Sequence, residues 1–314
     1  MSAAALPHKP KSLGPGSRIA AVSPASPATE ESLVKGKREL ERLGFSVRAP
    51  RAMRSESYFS GPVSDRRAEF LEALGDPATD ALVATRGGYG SVYLIAEEFP
   101  AELTPLKPII GFSDLTTLEI YLWQKEGWPT FYGPMLAAGL DRGADVPGGY
   151  DSSSFRNSLS NSASGWQTDL SGETLRAGIA EGILLGGALT LVEATLGTPW
   201  ELDTTGALLL LEDRAMKPYQ VDRVLLHLEH AGKFRNVRGI ILGDFPECDP
   251  PVTGSPSVRD VAERILGPLG IPVLFGAPIG HTARSLLTLP LGVPARLIAE
   301  GRGTLKFLEP TVRP

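Results

Sequence analysis

Ser113 lies in the run Ile109-Ile110-Gly111-Phe112-Ser113-Asp114-Leu115, between an apolar stretch and a segment that reads as a helix from Leu115 to Lys125. A serine at a strand-to-helix junction is pushed out above the end of a sheet, and the backbone N–H groups after it point where an oxyanion would develop. Gly111, two residues earlier, eases the tight turn. The pattern departs from the G-x-S-x-G elbow of the α/β-hydrolases, because Leu115 stands where the last glycine would be. Two readings stand side by side: Ser113 is a nucleophile, or Ser113 or Asp114 caps the next helix.

A serine nucleophile needs a base, and four histidines are available. His8 sits in an Ala/Pro/Lys-rich N-terminal stretch with no platform. His227 and His230 share a helix face at i, i+3, a spacing that suits two metal ligands but equally places cations in a last helical turn. His281 remains, after Val273-Leu274-Phe275-Gly276-Ala277-Pro278-Ile279-Gly280, a strand and a tight loop. The carboxylate that would hold its imidazole is Glu212, which ends the run Leu208-Leu209-Leu210-Leu211; Asp213 beside it and Asp244, after Ile240-Ile241-Leu242-Gly243, are rivals. Strand-end carboxylates also cap helices or pair with arginines, here Arg214 or Arg223. The chain order is Ser, Glu, His.

Arg86-Gly87-Gly88-Tyr89-Gly90 is a Gly-rich turn able to present backbone N–H groups to a phosphate or to an oxyanion. It lacks the GxxxxGK[ST] of a P-loop. Arg86 and Tyr89 are its candidate substrate contacts, Arg86 as a cation for a terminal carboxylate. Cys248 lies in a Pro-rich loop without a basic neighbour and reads as incidental.

These residues need positioning, and the texture of the chain says how. Residues 1–16 read as a flexible arm. From Arg18 strands and helices alternate: strands at 18–22, 44–48, 81–85 and 108–112, helices at 30–43, 64–74, from Ser91 and at 115–125. Alternation of this kind predicts a parallel sheet covered on both faces, with ligands at the carboxyl ends of its strands. Residues 17–145 form this α/β domain. Between 146 and 180 the composition turns to Gly, Ser, Asn and Asp and reads as a linker and mobile loop. Residues 181–314 read as a smaller α/β domain, with helices at 189–196, 221–230 and 258–266 and strands at 207–211, 237–242 and 273–275.

Composition sets the outer limits. The 314 residues are 42% hydrophobic and 21% charged, with a net charge of -5, which offers no basic footprint for nucleic acid. One cysteine excludes an internal disulfide and a multi-thiolate zinc site. The short apolar patch at Ala3–Leu6 matches neither a signal peptide nor a membrane span. A cytoplasmic protein that works without a cofactor is expected.

The motifs taken in order resemble the LD-carboxypeptidase family, serine peptidases that include the murein tetrapeptide carboxypeptidases and the microcin C immunity proteins. The resemblance runs from Leu13 almost to the end. It is carried by Gly16-Ser17-Arg18-Ile19-Ala20-Ala21-Val22-Ser23-Pro24, Asp65-Arg66-Arg67, Arg86-Gly87-Gly88-Tyr89-Gly90, Gly111-Phe112-Ser113-Asp114, Gly133-Pro134-Met135, Gly197-Thr198-Pro199, Leu211-Glu212-Asp213, Tyr219-Gln220-Val221-Asp222-Arg223 and Gly280-His281. It implies a Ser113–His281–Glu212 triad, with the serine on a flavodoxin-like N-terminal domain and its partners on the C-terminal one. It also implies an oxyanion hole from the backbone of Asp114 and the Gly87–Gly88 turn, a homodimer, and release of a terminal D-amino acid from an L,D-peptide, as in recycling of murein tetrapeptides. The microcin-immunity activity, cleavage of aminoacyl-nucleotide conjugates, is the alternative, with Trp166 as a candidate to stack on a base. A non-catalytic ligand-binding module is a third reading. Two positions depart from the family pattern: Tyr132 stands where His commonly precedes Gly-Pro-Met, and Ala188 where Asn commonly follows the paired glycines.

Overall fold

Short apolar runs separated by amphipathic helices build the first unit. In the computed structural model, which describes residues 9–51, 53, 55–99 and 106–314, these are β1 (Arg18–Val22), α1 (Glu30–Arg42), β2 (Ser46–Arg48), α2 (Val63–Gly75), β3 (Ala81–Ala84), β4 (Ile109–Gly111), α3 (Thr116–Glu126) and β5 (Thr130–Tyr132). The strands pair in parallel in the order β5-β4-β3-β1-β2. Read from the other edge this is 2-1-3-4-5, the flavodoxin-like order, in which ligands sit beyond the carboxyl ends of the strands. The segments starting at Ser23, Arg86 and Ser113 leave those ends.

The second unit contains β8 (Gly178–Ala188), α5 (Leu189–Ala194), β9 (Ala207–Glu212), α6 (Pro218–His230), β10 (Gly239–Gly243), α7 (Val258–Leu266) and β11 (Val273–Ala277). Its four strands pair in parallel and in sequence. Leu209 and Leu211 of β9 pack with Val221, Leu225, Val261 and Ile265 of α6 and α7, whereas Leu208 and Leu210 pack in the cluster that holds Phe112, Leu115 and Tyr132 of the first unit. Side chains alternate across a strand, so one face of this sheet is committed to its helices and the other to its neighbour.

Two expectations about segment boundaries give way. The stretch read as a linker and mobile loop is folded: it carries α4 (Ser152–Ser160), β6 (Gln167–Asp169), β7 (Glu173–Arg176) and the start of β8. Its polarity misleads because the serines satisfy backbone groups inside the protein. Ser154 Oγ accepts the Thr288 N–H at 3.0 Å and the Ser158 hydroxyl donates to Thr288 O at 2.9 Å. The strands β6 and β7 are the two edges of the second sheet, where polar residues are tolerated. With β13 (Pro294–Ala299) and β14 (Thr304–Phe307), that sheet has eight strands among the described residues. The arm is likewise anchored from residue 9: the Ser12 N–H reaches Arg313 O at 2.7 Å, and Leu13 is buried with Ile19 and Phe131. His8 lies outside the described residues.

The units are also laced together by chain crossing. β12 (Leu289–Leu291), from the C-terminal part, pairs antiparallel with β5 and closes the first sheet. The helix expected from Ser91 is a short 3-10 turn, Ser91–Ile95. Among the described residues no helix is long and apolar enough to cross a membrane.

Candidate active site

Ser113 opens a 3-10 turn, Ser113–Leu115, and adopts a left-handed backbone with φ of 65°. That conformation is uncommon for a residue with a Cβ and clusters at functional sites, where surrounding structure holds the strain. The surroundings are explicit. A Cβ on Gly111 would lie 2.2 Å from Leu115 Cδ2, so the leucine that replaces the elbow glycine folds over Gly111. Neither the 3-10 turn nor α3 is capped by a side chain. The capping reading of Ser113 and Asp114 therefore fails. The buried Asp114 carboxylate instead accepts the Ser91 N–H at 2.7 Å and ties the Gly-rich turn to the serine turn. Burial pushes that carboxyl up, and the bonds from Ser91 oppose the shift.

Gly87 lies against the serine: a Cβ there would meet Ser113 Cβ at 2.8 Å, Oγ at 3.0 Å and Asp114 N at 3.4 Å. Gly88 has φ of 105°, and a Cβ would meet Ser26 Oγ at 2.4 Å, the atom that accepts the Tyr89 N–H at 3.1 Å. Only glycines bring this turn so near the Ser113–Asp114 backbone.

On the other side, Glu212 is fully buried at the end of β9. Its Oε2 accepts from His281 twice, from the backbone N–H at 2.8 Å and from Nδ1 at 2.9 Å, while Oε1 accepts the Tyr132 hydroxyl at 2.6 Å. Space for it is made by glycines: a Cβ on Gly280 would lie 2.2 Å from Glu212 Cδ, and one on Gly243 2.5 Å from its Cβ. Strand alternation separates it from its neighbour. Glu212 is in step with Leu208 and Leu210, facing the first unit, whereas Asp213 turns to α5 and accepts the Thr190 N–H at 3.0 Å and hydroxyl at 2.8 Å. Asp244 pairs with Arg284 and accepts the Thr282 hydroxyl, which braces the loop just after His281.

Ser113, His281, Gly87, Gly88, Asp114 and Arg86 all line one cleft of about 740 Å³ between the units. Among the described residues no hydrogen bond joins Ser113 Oγ to His281; their neighbourhood is marked by Phe112, whose ring meets the His281 ring edge-on at 5.2 Å. Such bonds are often long in unliganded enzymes and tighten when substrate binds. Arg86 is exposed, donates to Pro27 O at 3.0 Å, and forms no ion pair among the described residues. Tyr89, the other expected contact, is not part of the cleft lining; it is exposed, stacks on Phe59, meets Tyr93 edge-on and lies tilted against Tyr58.

The remaining candidates lie elsewhere. His227 pairs with Glu193 at 2.7 Å on an exposed face of α6, and His230 is exposed in the same turn. Among the described residues no group of three or more His, Cys, Asp or Glu is disposed to hold a metal ion. Cys248 is buried, with burial pushing its thiol up. Trp166 is buried too, its ring 4.7 Å from Phe307, so it belongs to the second sheet's core and presents no face for a base. Tyr132, which the sequence marks only as a departure from the family pattern, meets both Ser113 N and Glu212 Oε1, and its place at a strand end beside the strand that leads to Ser113 is the signal for it.

A model of the LD-carboxypeptidase N-terminal domain matches residues 19–133, and one of the LD-carboxypeptidase C-terminal domain matches residues 181–297. The chain is 35% identical over 296 residues to a probable murein peptide carboxypeptidase of Bacillus subtilis, covering 93% of this chain and 92% of that protein. Among solved structures, MccF in complex with glutamyl sulfamoyl guanosine superposes with a TM-score of 0.85 at 25% identity, over 98% of this chain and all of that one. A muramoyltetrapeptide carboxypeptidase from Oxalobacter formigenes gives 0.79 at 26% identity, over 93% of this chain and 98% of that one. With both domain models matched in order, and near-complete coverage at this identity, the chain belongs to the LD-carboxypeptidase family.

Proposed function

We propose that the protein is a serine peptidase that releases a terminal D-amino acid from an L,D-linked peptide, with murein tetrapeptide as substrate and Ser113, His281 and Glu212 as its triad. The observation that carries the reading is the buried Glu212 bonded to His281 Nδ1 beside a serine held in a left-handed turn. With Nδ1–H donating to Glu212, the other ring nitrogen, Nε2, is left unprotonated as the base. It takes the Ser113 proton as Oγ attacks the scissile carbonyl. The oxyanion is received by the Asp114 N–H and the Gly87–Gly88 turn. His281 then protonates the leaving amine, freeing the D-amino acid, and water, activated by the same imidazole, releases the acyl-enzyme. Arg86, exposed at the cleft and without an ion-pair partner among the described residues, binds the terminal carboxylate that distinguishes a carboxypeptidase substrate.

The relative named as a murein peptide carboxypeptidase supports this choice of substrate. The microcin-immunity alternative has the likeness to MccF in its favour, but here Trp166 offers no stacking face. Recycling of murein tetrapeptides in the cytoplasm, by a homodimer, completes the proposal.

The test is to incubate purified protein with murein tetrapeptide and assay free D-alanine, with an aminoacyl sulfamoyl adenosine in parallel. Release by wild type and its loss in Ser113→Ala is the expected result. No release, or equal release by Ser113→Ala, sinks the reading; turnover of the sulfamoyl conjugate alone moves it to the alternative.

A further inference from the structure

We propose that Tyr132 is a positioning residue that holds Ser113 in register with the Glu212–His281 pair across the two sheets. The inference rests on the serine-peptidase reading above. Tyr132 ends β5 and is fully buried, its backbone paired with Gly111 of β4 on one side and Leu289 of β12 on the other. It is therefore a fixed point of the first sheet, next to the strand that delivers the nucleophile.

Its hydroxyl is the junction. The oxygen accepts the Ser113 N–H at 3.3 Å, and the hydroxyl donates to Glu212 Oε1 at 2.6 Å. Thr116, at the start of α3, accepts the Ala188 N–H at 3.0 Å. With the Ser113 N–H directed at the phenol oxygen, the one phenol proton goes to Glu212. Burial and the adjacent carboxylate push the phenol well above its ordinary range, so that proton stays in place.

Hydrogen bonds cross the boundary between the units twice, from Ala188 of β8 to Thr116 and from Tyr132 to Glu212 of β9. The approach is close: a Cβ on Gly187 would lie 2.6 Å from the Thr116 side chain. One residue thus touches the nucleophile's backbone and the carboxylate that orients the base, though neither reacting atom. Its contribution is geometric, since a displacement of about 1 Å in such a constellation can lower a rate by about 100-fold.

The experiment compares wild type, Tyr132→Phe and protein carrying 3-fluorotyrosine at 132. Two rates are read, kcat for D-alanine release and covalent labelling of Ser113 by a fluorophosphonate, both well below the melting temperature. Tyr132→Phe is expected to lower both by about 10- to 100-fold, with KM within about twofold of wild type, and 3-fluorotyrosine, which keeps the hydroxyl, to restore both to within about threefold. A folded Tyr132→Phe with wild-type kcat and labelling overturns the inference, as does a loss that 3-fluorotyrosine fails to restore. Should Tyr132→Phe not fold, protein carrying 4-fluorophenylalanine at 132, which fills the place of the hydroxyl without donating, is read instead: a fall of about threefold or more in labelling is expected, and an unchanged rate overturns the inference. Labelling also separates this inference from the substrate assignment. A wild type labelled at Ser113 that releases no D-alanine refutes the tetrapeptide reading, while the labelling ratio still decides the role of Tyr132. A wild type inert to both refutes the nucleophile, and this inference with it.

Discussion

Replacing Glu212 by glutamine preserves the shape of the side chain and removes its charge, and the hydrogen bonds around it set the cost. The carboxylate accepts three hydrogen bonds, two from His281 on Oε2 and one from Tyr132 on Oε1. An amide has one accepting oxygen. If that oxygen faces His281, the NH2 group meets the Tyr132 hydroxyl, whose proton then has no acceptor there and whose oxygen already accepts from Ser113. If the amide is reversed, the NH2 group meets both His281 donors. Either way donor faces donor inside a fully buried site. A hydrogen bond to a buried charged group is worth about 1.5–3 kcal/mol, and two are weakened, so about 3–6 kcal/mol of transition-state stabilisation is at stake. That corresponds to a fall of roughly 10²- to 10⁴-fold in kcat. Glu212 is absent from the cleft lining, so KM should stay within about threefold of wild type. The assay is D-alanine release at saturating murein tetrapeptide, with melting temperature as a control for folding. A folded Glu212→Gln with kcat within about fivefold of wild type would refute the argument that this carboxylate orients and charges the base.

Asp213→Ala should behave oppositely to its neighbour: loss of the bonds to Thr190 costs about 1 kcal/mol in a denaturant titration, with kcat within about threefold of wild type. Gly87→Ala places a methyl group 2.8 Å from Ser113 Cβ, and is expected to lower kcat at least about 100-fold in D-alanine release while the protein still folds; wild-type activity would remove the turn from the oxyanion site. Glu119 is buried with neither carboxyl oxygen hydrogen-bonded among the described residues, and burial pushes it well above the usual carboxylate range. Its folded state therefore holds a proton that the unfolded chain releases, so stability is full below the unfolded carboxyl pKa and declines as pH rises toward the folded one. Glu119→Gln cannot titrate, and its stability relative to wild type should rise between pH 5 and pH 8, by at most about 1.4 kcal/mol per pH unit; a difference flat with pH in urea titrations contradicts the buried neutral acid.

How legible was this protein in its sequence? Alternating apolar and amphipathic stretches marked β1 to β4, β9 to β11 and every α-helix but α4 among the described residues, because burial of one face imposes a local period. The site was nearly as readable at the level of residue types. Ser113, Glu212 and His281 each end an apolar run or its loop, and strand ends are where such folds place chemistry. Among the described histidines, His227 and His230 sit in an exposed last helical turn, whereas His281 follows a strand and meets Glu212. The errors share a cause. The segment 146–180 looked like a linker because its serines are polar, yet Ser154 and Ser158 spend that polarity on Thr288, about 130 residues away. β5 is three residues long between Pro129 and Pro134, too short for any period to register.

The sequence by itself determined which residues can do the chemistry and which strands carry them, since amphipathic period, glycine and side-chain type act within a few residues. Tertiary structure alone decided the rest. The left-handed backbone of Ser113, the assignment of Glu212 rather than Asp213 or Asp244 to His281, and the link through Tyr132 each depend on the packing of one sheet against the other. The partners are far apart in the chain, 69 residues for His281 and Glu212 and 80 for Tyr132 and Glu212. Whether a hydroxyl meets a carboxylate at 2.6 Å is settled by which faces of two sheets are buried together and how closely their glycines let them approach.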